Sequence, residues 1–237
     1  PFELDKKIAK QLEKLGRILL KFYQATNQIY RWSTEDRLPK WPSEWLERGK
    51  PKSLIDLQRH KAFKSELPRV IRPDILLTEE GLKITELDSV PGGIGLTAWL
   101  NRSYSEAGTE VIGGPTGMLD GFAGIFGNAE KIRMVVSEES ATYRPEMEWI
   151  AKQIGTDRVS IHDENYIKFN EGDAIYRFFE LFDLPNIPSA ETIFQHAIEQ
   201  KITVTSPPKT FLEEKMAFGL FHNRNLSDVW RQQLGDS

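Results

Sequence analysis

The chain has 237 residues, of which 39% are hydrophobic and 28% charged, with a formal net charge of −4. This is ordinary usage for one large or two modest globular domains, and it excludes a wholly disordered chain. Cysteine is absent, which excludes disulfides, thiolate zinc, iron–sulfur clusters and a cysteine nucleophile.

Along the chain, Leu4, Ile8, Leu12, Leu15, Ile18 and Leu19 recur at spacings of three and four, predicting a helix over 3–30. Residues 31–69 are broken by Pro39, Pro42, Pro51 and Pro68, with room for a short helix over 54–65. Residues 1–66 carry 15 Lys and Arg against 9 Asp and Glu. That basic region is either a solvated helical surface or an arm for an acidic partner. Trp32, Trp41 and Trp45 lie in it without any RNA-binding motif. The segments 70–77 and 82–90 read as two strands around TEEG, and a helix follows from Leu96 to a stop at Gly108. The Gly-rich stretch 111–128 reads as loop.

From Lys131 strands and helices alternate. IRMVVS (132–137), RVSIH (158–162), AIYRFFEL (174–181) and ITVTS (202–206) read as strands. Helices are predicted over 144–155, with Pro145 near the start and Gly155 at the end, and over 189–200, with Ser189 as N-cap. Two more helices close the chain. The alternation predicts an α/β fold with a largely parallel sheet and flanking helices, an N-terminal helical extension and an antiparallel hairpin. The expected organisation is a helical basic region (1–66), a hairpin and Gly-rich region (67–130) and an α/β region (131–237). Tyr176, Phe178, Phe179 and Phe182 are expected in its core. Arg177 is expected to pair with an acid, and Tyr143-Arg144 is a weaker candidate for substrate contact at a strand end. No apolar run approaches the ~20 residues of a membrane span. A cytoplasmic location is the expectation that the absence of cysteine permits. His60, His162, His196 and His222 are dispersed, without metal-ligand spacing.

The stretch RPDILLTEEGLKITELDSVPGGIG (72–95) concentrates chemistry. A three-residue loop, Glu79-Glu80-Gly81, would put Gly81 at the left-handed position such loops favour. Asp74 then opposes Glu86 and Arg72 opposes Asp88. Strand side chains alternate, so all four share one face. Opposed carboxylates repel, and Arg72 alone neutralises only part. A divalent cation is the natural complement, and Mg²⁺ takes hard oxygen ligands together with substrate phosphates. The plainer alternative is an exposed hairpin with repelling acids and one salt bridge. A slip of one residue would separate Asp74 from Glu86. The PGGIG turn that follows offers free N–H groups at a helix start, through Gly92 and Gly93, that can hold an anion, or else it is an ordinary strand–helix link.

An R-x-D, a hairpin, an E-x-N/D and a Pro/Gly turn into a helix resemble the circularly permuted ATP-grasp ligases, the glutathionylspermidine synthase-like proteins above all. The resemblance implies that Arg72 meets the transferring phosphate, that Asp74, Glu86 and Asp88 hold Mg²⁺, and that Gly92 and Gly93 lie at bound ATP. The twelve-residue step from Asp74 to Glu86 fits the pattern, whereas Asp88 stands where those enzymes often have Asn. VVSEESATYRPEMEWIAKQIG, GDAIYRFFELFDL and PPKTFLEEKMAFGLF resemble parts of the pre-ATP-grasp region. In the last of these Lys215 is the candidate for the lysine that meets ATP, or else a solvated helix lysine. In the given sequence 22 residues follow Lys215, too few for the two nucleotide-clasping lobes. The expectation is therefore the pre-ATP-grasp part of a longer enzyme, or a protein without the catalytic half, and no ATP turnover by these residues alone.

Three functions follow in order of preference. The first is part of a Mg²⁺- and ATP-dependent ligase that joins a small carboxylate to an amine through an acyl phosphate. The second is a non-catalytic binding module of the same fold. The third is a hydrolase using Asp74 and Glu86 as a carboxylate pair, for which about 5–10 Å between acids is required. No nucleic-acid or membrane partner is expected.

Overall fold

The computed structural model describes residues 3–235. Contacts divide them into two compact units. A central unit runs from Val90 to Pro207, and an end unit combines the described residues up to Ser89 with those from Pro208 onward. This division differs from the expected 1–66, 67–130 and 131–237, because the two ends of the chain share one core.

The central unit is α/β. Strands β3 (Ile132–Val136), β4 (Val159–His162), β5 (Ala174–Phe178) and β6 (Thr203–Thr205) form a parallel sheet in the order β4-β3-β5-β6. The two middle strands are almost wholly buried and, Arg133 and Arg177 apart, carry apolar or aromatic side chains, as a sheet covered on both faces requires. Helix α6 (Arg144–Ile154) begins with Pro145 in its first turn, buries Met147, Ile150 and Ala151, and gives way to Gly155 at φ 125°. Helix α7 (Ala190–Ile198) follows Ser189, but the Ser189 hydroxyl makes no capping bond. Helix α4 spans Ile94–Glu106.

Two expectations in this unit need correction. Residues 117–124, read as loop, form helix α5 (Gly117–Gly124). Its glycines disfavour a helix, but Phe122 is buried with ring centroids 5.3 Å from Phe126 and 5.0 Å from Tyr176. Burying one such ring is worth roughly 1.5–3 kcal/mol, more than the propensity cost of a glycine. Phe182, expected in the core, is 72% exposed, whereas Tyr176, Phe178 and Phe179 are buried.

The end unit is built on α1 (Lys6–Thr34). Asp5 caps it, its Oδ1 accepting from the N–H groups of Lys7 (2.7 Å) and Ile8 (3.2 Å). The inner face carries Leu19, Phe22, Tyr23, Ile29 and Tyr30 into the core, while Ile18 faces solvent. Chain-terminal elements complete that core. Trp230 of α9 (Ser227–Leu234) stacks on Phe22 at 5.3 Å, and Phe211 stacks on Tyr30 at 4.1 Å. The region 31–69 holds α2 (Trp41–Glu47), α3 (Lys52–Arg59) and a single 3-10 turn over Lys61–Phe63. Helix α8 spans Met216–Phe221. Several cations of the basic region have acidic neighbours on the same unit, including Arg59 with Glu47 and Lys50 with Glu214. No helix of the described residues is long and apolar enough to cross a membrane.

Strands β1 (Arg72–Thr78) and β2 (Gly81–Asp88) form the antiparallel hairpin of this unit. Thr78 pairs with Gly81 across Glu79-Glu80, so the loop has two residues rather than three. The register then shifts between Asp74 and Ile75, with Ile75 opposite Ile84 and Asp74 opposite Glu86. Thr85 is the extra residue of this bulge, and its hydroxyl lies 3.2 Å from the Asp74 carbonyl oxygen to which it donates. Shorter loop and bulge cancel, and beyond Thr85 the pairs are Asp74 with Glu86 and Arg72 with Asp88.

Candidate functional site

Because those pairs are directly opposed and two residues apart along each strand, Arg72, Asp74, Glu86 and Asp88 project on one face of the hairpin. The Arg72 guanidinium bridges two of the acids. Its Nε lies 3.2 Å from Asp74 Oδ1 and its Nη2 lies 3.2 Å from Asp88 Oδ2. The third acid meets a cation from elsewhere in the unit. Lys215, the residue before α8, places Nζ 3.1 Å from Glu86 Oε2. Lys215 lies 127 to 143 positions from the hairpin residues, yet they form one patch of three carboxylates and two cations.

The patch is half-open. Side-chain exposure is 43% for Arg72, 45% for Asp74, 43% for Glu86, 25% for Asp88 and 65% for Lys215. Ion pairs this wet contribute at most about 1 kcal/mol each to stability. Beneath them, the Tyr23 hydroxyl donates to the Leu212 carbonyl at 3.0 Å. Burial first, then the charges of Glu213 and Asp88, push its pKa up.

The expected three-carboxylate metal site is not formed in this arrangement. Among the described residues no group of three or more His, Asp or Glu side chains is placed to hold a metal ion. The physical reason is on the hairpin itself: Arg72 takes Asp74 and Asp88, and Lys215 takes Glu86. The like-charge repulsion that called for a cation is met by two side-chain cations. The donor chemistry still suits Mg²⁺, since all three acids offer hard oxygens, but only when another anion draws Arg72 and Lys215 away.

Gly92 and Gly93 belong to the central unit, and there the anion is the protein's own. Gly93, at φ 82°, precedes α4. Its N–H donates to Glu146 Oε1 at 2.6 Å, and the Leu96 N–H donates to Oε2 at 3.0 Å. A carboxylate at a helix N-terminus satisfies free donors and complements the dipole. The place expected for a phosphate is therefore filled by Glu146 from α6. The glycines serve close packing: a Cβ on Gly92 would lie 2.3 Å from Tyr143 Cε1, and one on Gly95 would lie 2.6 Å from the Glu146 carbonyl oxygen.

Arg177 is fully buried in the sheet and donates to carbonyl oxygens of Ser206 (2.6 Å), Phe179 (2.7 Å) and Pro207 (3.3 Å). Tyr143, expected near a strand end, packs edge-on against Phe178 at 5.5 Å. His162, without a role from sequence, shares a hydrogen bond of 2.8 Å with the Ser160 hydroxyl and stacks on Tyr166 at 3.5 Å. Burial, then the charge of Arg133, lowers its pKa. Arg133 of β3 in turn donates through Nη1 to the Ser160 hydroxyl at 2.9 Å. Neither Glu146 nor this Arg133–Ser160–His162 chain carried a signal in the sequence, because each joins strands or helices that only the fold brings together.

No protein-family model, curated protein or solved structure matches the chain.

Proposed function

We propose that this chain is part of a Mg²⁺- and ATP-dependent carboxylate–amine ligase of the glutathionylspermidine synthase-like kind, and that the hairpin patch receives the phosphates of the nucleotide. The observation that carries this reading is the meeting of Lys215 with Arg72, Asp74, Glu86 and Asp88 on one half-open face. Two cations and three acids are the complement of a phosphate chain and the metal that travels with it. Phosphate oxygens would draw Arg72 and Lys215, and Asp74, Glu86 and Asp88 are the residues that would then hold the metal. Mg²⁺, when bound, supplies charge neutralisation at the phosphates. In such ligases the γ-phosphate passes to a carboxylate, and the acyl phosphate is then attacked by an amine. The part this chain takes is to position and neutralise. Small-molecule acid and amine are the substrate classes of this reading, and Gly92 and Gly93 have no part in it.

The second reading, a non-catalytic module that binds an anion on the same patch, draws on the same exposure. Equilibrium binding of ATP with and without Mg²⁺ separates the two. The ligase reading expects ATP to bind at least tenfold more tightly with Mg²⁺, and Asp74→Asn to remove most of that gain. An affinity indifferent to Mg²⁺, or unchanged in Asp74→Asn, would contradict it.

A further inference from the structure

The end unit holds a second polar site that the hairpin does not account for. A pocket of about 210 Å³ is lined by α1, α3 and the segments around Lys64 and Lys209. By liquid volume that is room for about seven waters. Four of its lining side chains are cationic: Arg31, Arg59, Lys64 and Lys209. Glu35 is the acid among them.

Its walls are built and held. Lys209 is 2% exposed, and its ammonium donates to Asn27 Oδ1 (2.7 Å), the Glu66 carbonyl (2.6 Å) and, more loosely, the Lys64 carbonyl (3.4 Å). Gln58, 3% exposed, accepts from the Thr210 hydroxyl at 2.8 Å and donates to the Tyr30 hydroxyl at 2.7 Å. Side chains fixed in this way do not have to reorganise when a ligand arrives.

The charges do not balance. Arg59 is fully engaged by Glu47, with contacts of 2.7 and 2.6 Å. By contrast Glu35 is shared loosely by Arg31 (3.6 Å), Lys64 (3.5 Å) and Arg37 (4.0 Å), none within hydrogen-bond reach. The buried Arg31 Nε has no hydrogen-bond partner. Glu66 acts on Lys209 from a distance. With Arg59 taken by Glu47, the lining leaves Arg31, Lys64 and Lys209 with Glu35 as their one acid, a surplus of two positive charges when Lys209 is protonated. Burial pushes Lys209 down to about 7, the direction in which its charge is costly without a compensating anion.

We propose that this pocket binds a small dianionic oxyanion, a phosphate or a short dicarboxylate, through Arg31 and Lys64 in the field of Lys209. The ligand supplies the two negative charges that Glu35 cannot, and its oxygens accept from the Arg31 and Lys64 groups that Glu35 holds only loosely. No residue lining this pocket belongs to the hairpin patch, so the two sites are distinct.

The test is calorimetric titration of the 237-residue protein with inorganic phosphate and, separately, malonate, at constant ionic strength set by chloride. Saturable binding of either is expected, the preferred anion naming the source. Arg31→Gln and Lys64→Gln, both partly exposed positions, should each weaken it about tenfold, the cost of one charged hydrogen bond. Glu35→Gln should tighten it several-fold by removing the competing carboxylate, a gain that damage to the fold cannot mimic. Lys10→Gln, an exposed cation of α1 outside both sites, should leave it unchanged. Absence of saturable binding, an undiminished affinity in both Arg31→Gln and Lys64→Gln, or an equal loss in Lys10→Gln would overturn the assignment.

Discussion

In the central unit, two charges are answered by the protein's own backbone. Arg177 disappears into the sheet with three carbonyl oxygens around it, and Glu146 closes the start of α4 through two N–H groups. In the end unit, the hairpin acids and their cations stand half in water and pair with one another. A charge enclosed by fixed partners contributes to folding and has nothing left for a ligand. A charge held by a wet ion pair contributes little to folding and is exchangeable. The difference teaches where to look for function: on the hairpin, not at the glycine turn.

This contrast can be broken by mutation, and the largest effect should fall in the central unit. Arg177→Met strips three buried carbonyls of their donor. A loss of roughly 3–5 kcal/mol is expected in urea unfolding, the range for removing one partner of a buried charged network. A loss below 1 kcal/mol would mean that the enclosure of Arg177 is not what holds the strand ends together.

Lys209 gives the end unit one charge of the enclosed kind, and pH exposes it. Its folded pKa of about 7 lies below the ordinary lysine value of 10.5, so between those limits the unfolded chain binds the extra proton. Stability should therefore rise with pH from about 7 towards 10, at up to about 1.4 kcal/mol per pH unit. Burial raises the pKa of Tyr23 and Tyr30, so their contributions are intact below pH 10 and are lost as pH climbs further. Chemical denaturation across pH 6–11 should trace a rise and then a fall. Lys209→Met should flatten the rise, and an unchanged rise in that variant would assign it elsewhere.

A smaller effect is expected from Glu146→Gln. The amide keeps an acceptor for one N–H but loses the charge at the helix start, for a cost of about 1 kcal/mol. If ATP affinity also changed, the glycine turn would have a ligand role after all. Smallest of all should be the stability change in Arg72→Gln, below about 1 kcal/mol, because the pairs it breaks are exposed.

The fold class and sheet content were legible because buried parallel strands and amphipathic helices write their periods directly into residues such as Ile132–Val136 and Arg144–Ile154. The hairpin pairs were legible too, though by a route that differs from the structure. A two-residue loop and a bulge at Thr85 together place the same residues opposite one another as a three-residue loop would. Nothing in TEEG or KITEL distinguishes these routes, since a bulge depends on packing on both faces. The neutralisation of the acids by Lys215 and the filling of the turn by Glu146 were not legible, because both are contacts between distant parts of the chain. For the same reason Lys209 stands in PPK without any mark that it is buried beside Asn27. Helix α5 was hidden by its glycines, which report local preference and not the burial of Phe122.

The central claim, that the hairpin charges are kept for a ligand rather than for the fold, is tested most directly by one paired measurement on the double variant Arg72→Gln/Lys215→Gln. Mg²⁺-ATP affinity and thermal midpoint are read on the same sample beside the wild type. We predict an affinity at least tenfold weaker with a midpoint within a few degrees of the wild type, since an exposed pair is worth under about 1 kcal/mol and a charged phosphate contact more. Equal affinity for Mg²⁺-ATP in the two proteins, or a midpoint that collapses together with binding, would contradict the claim.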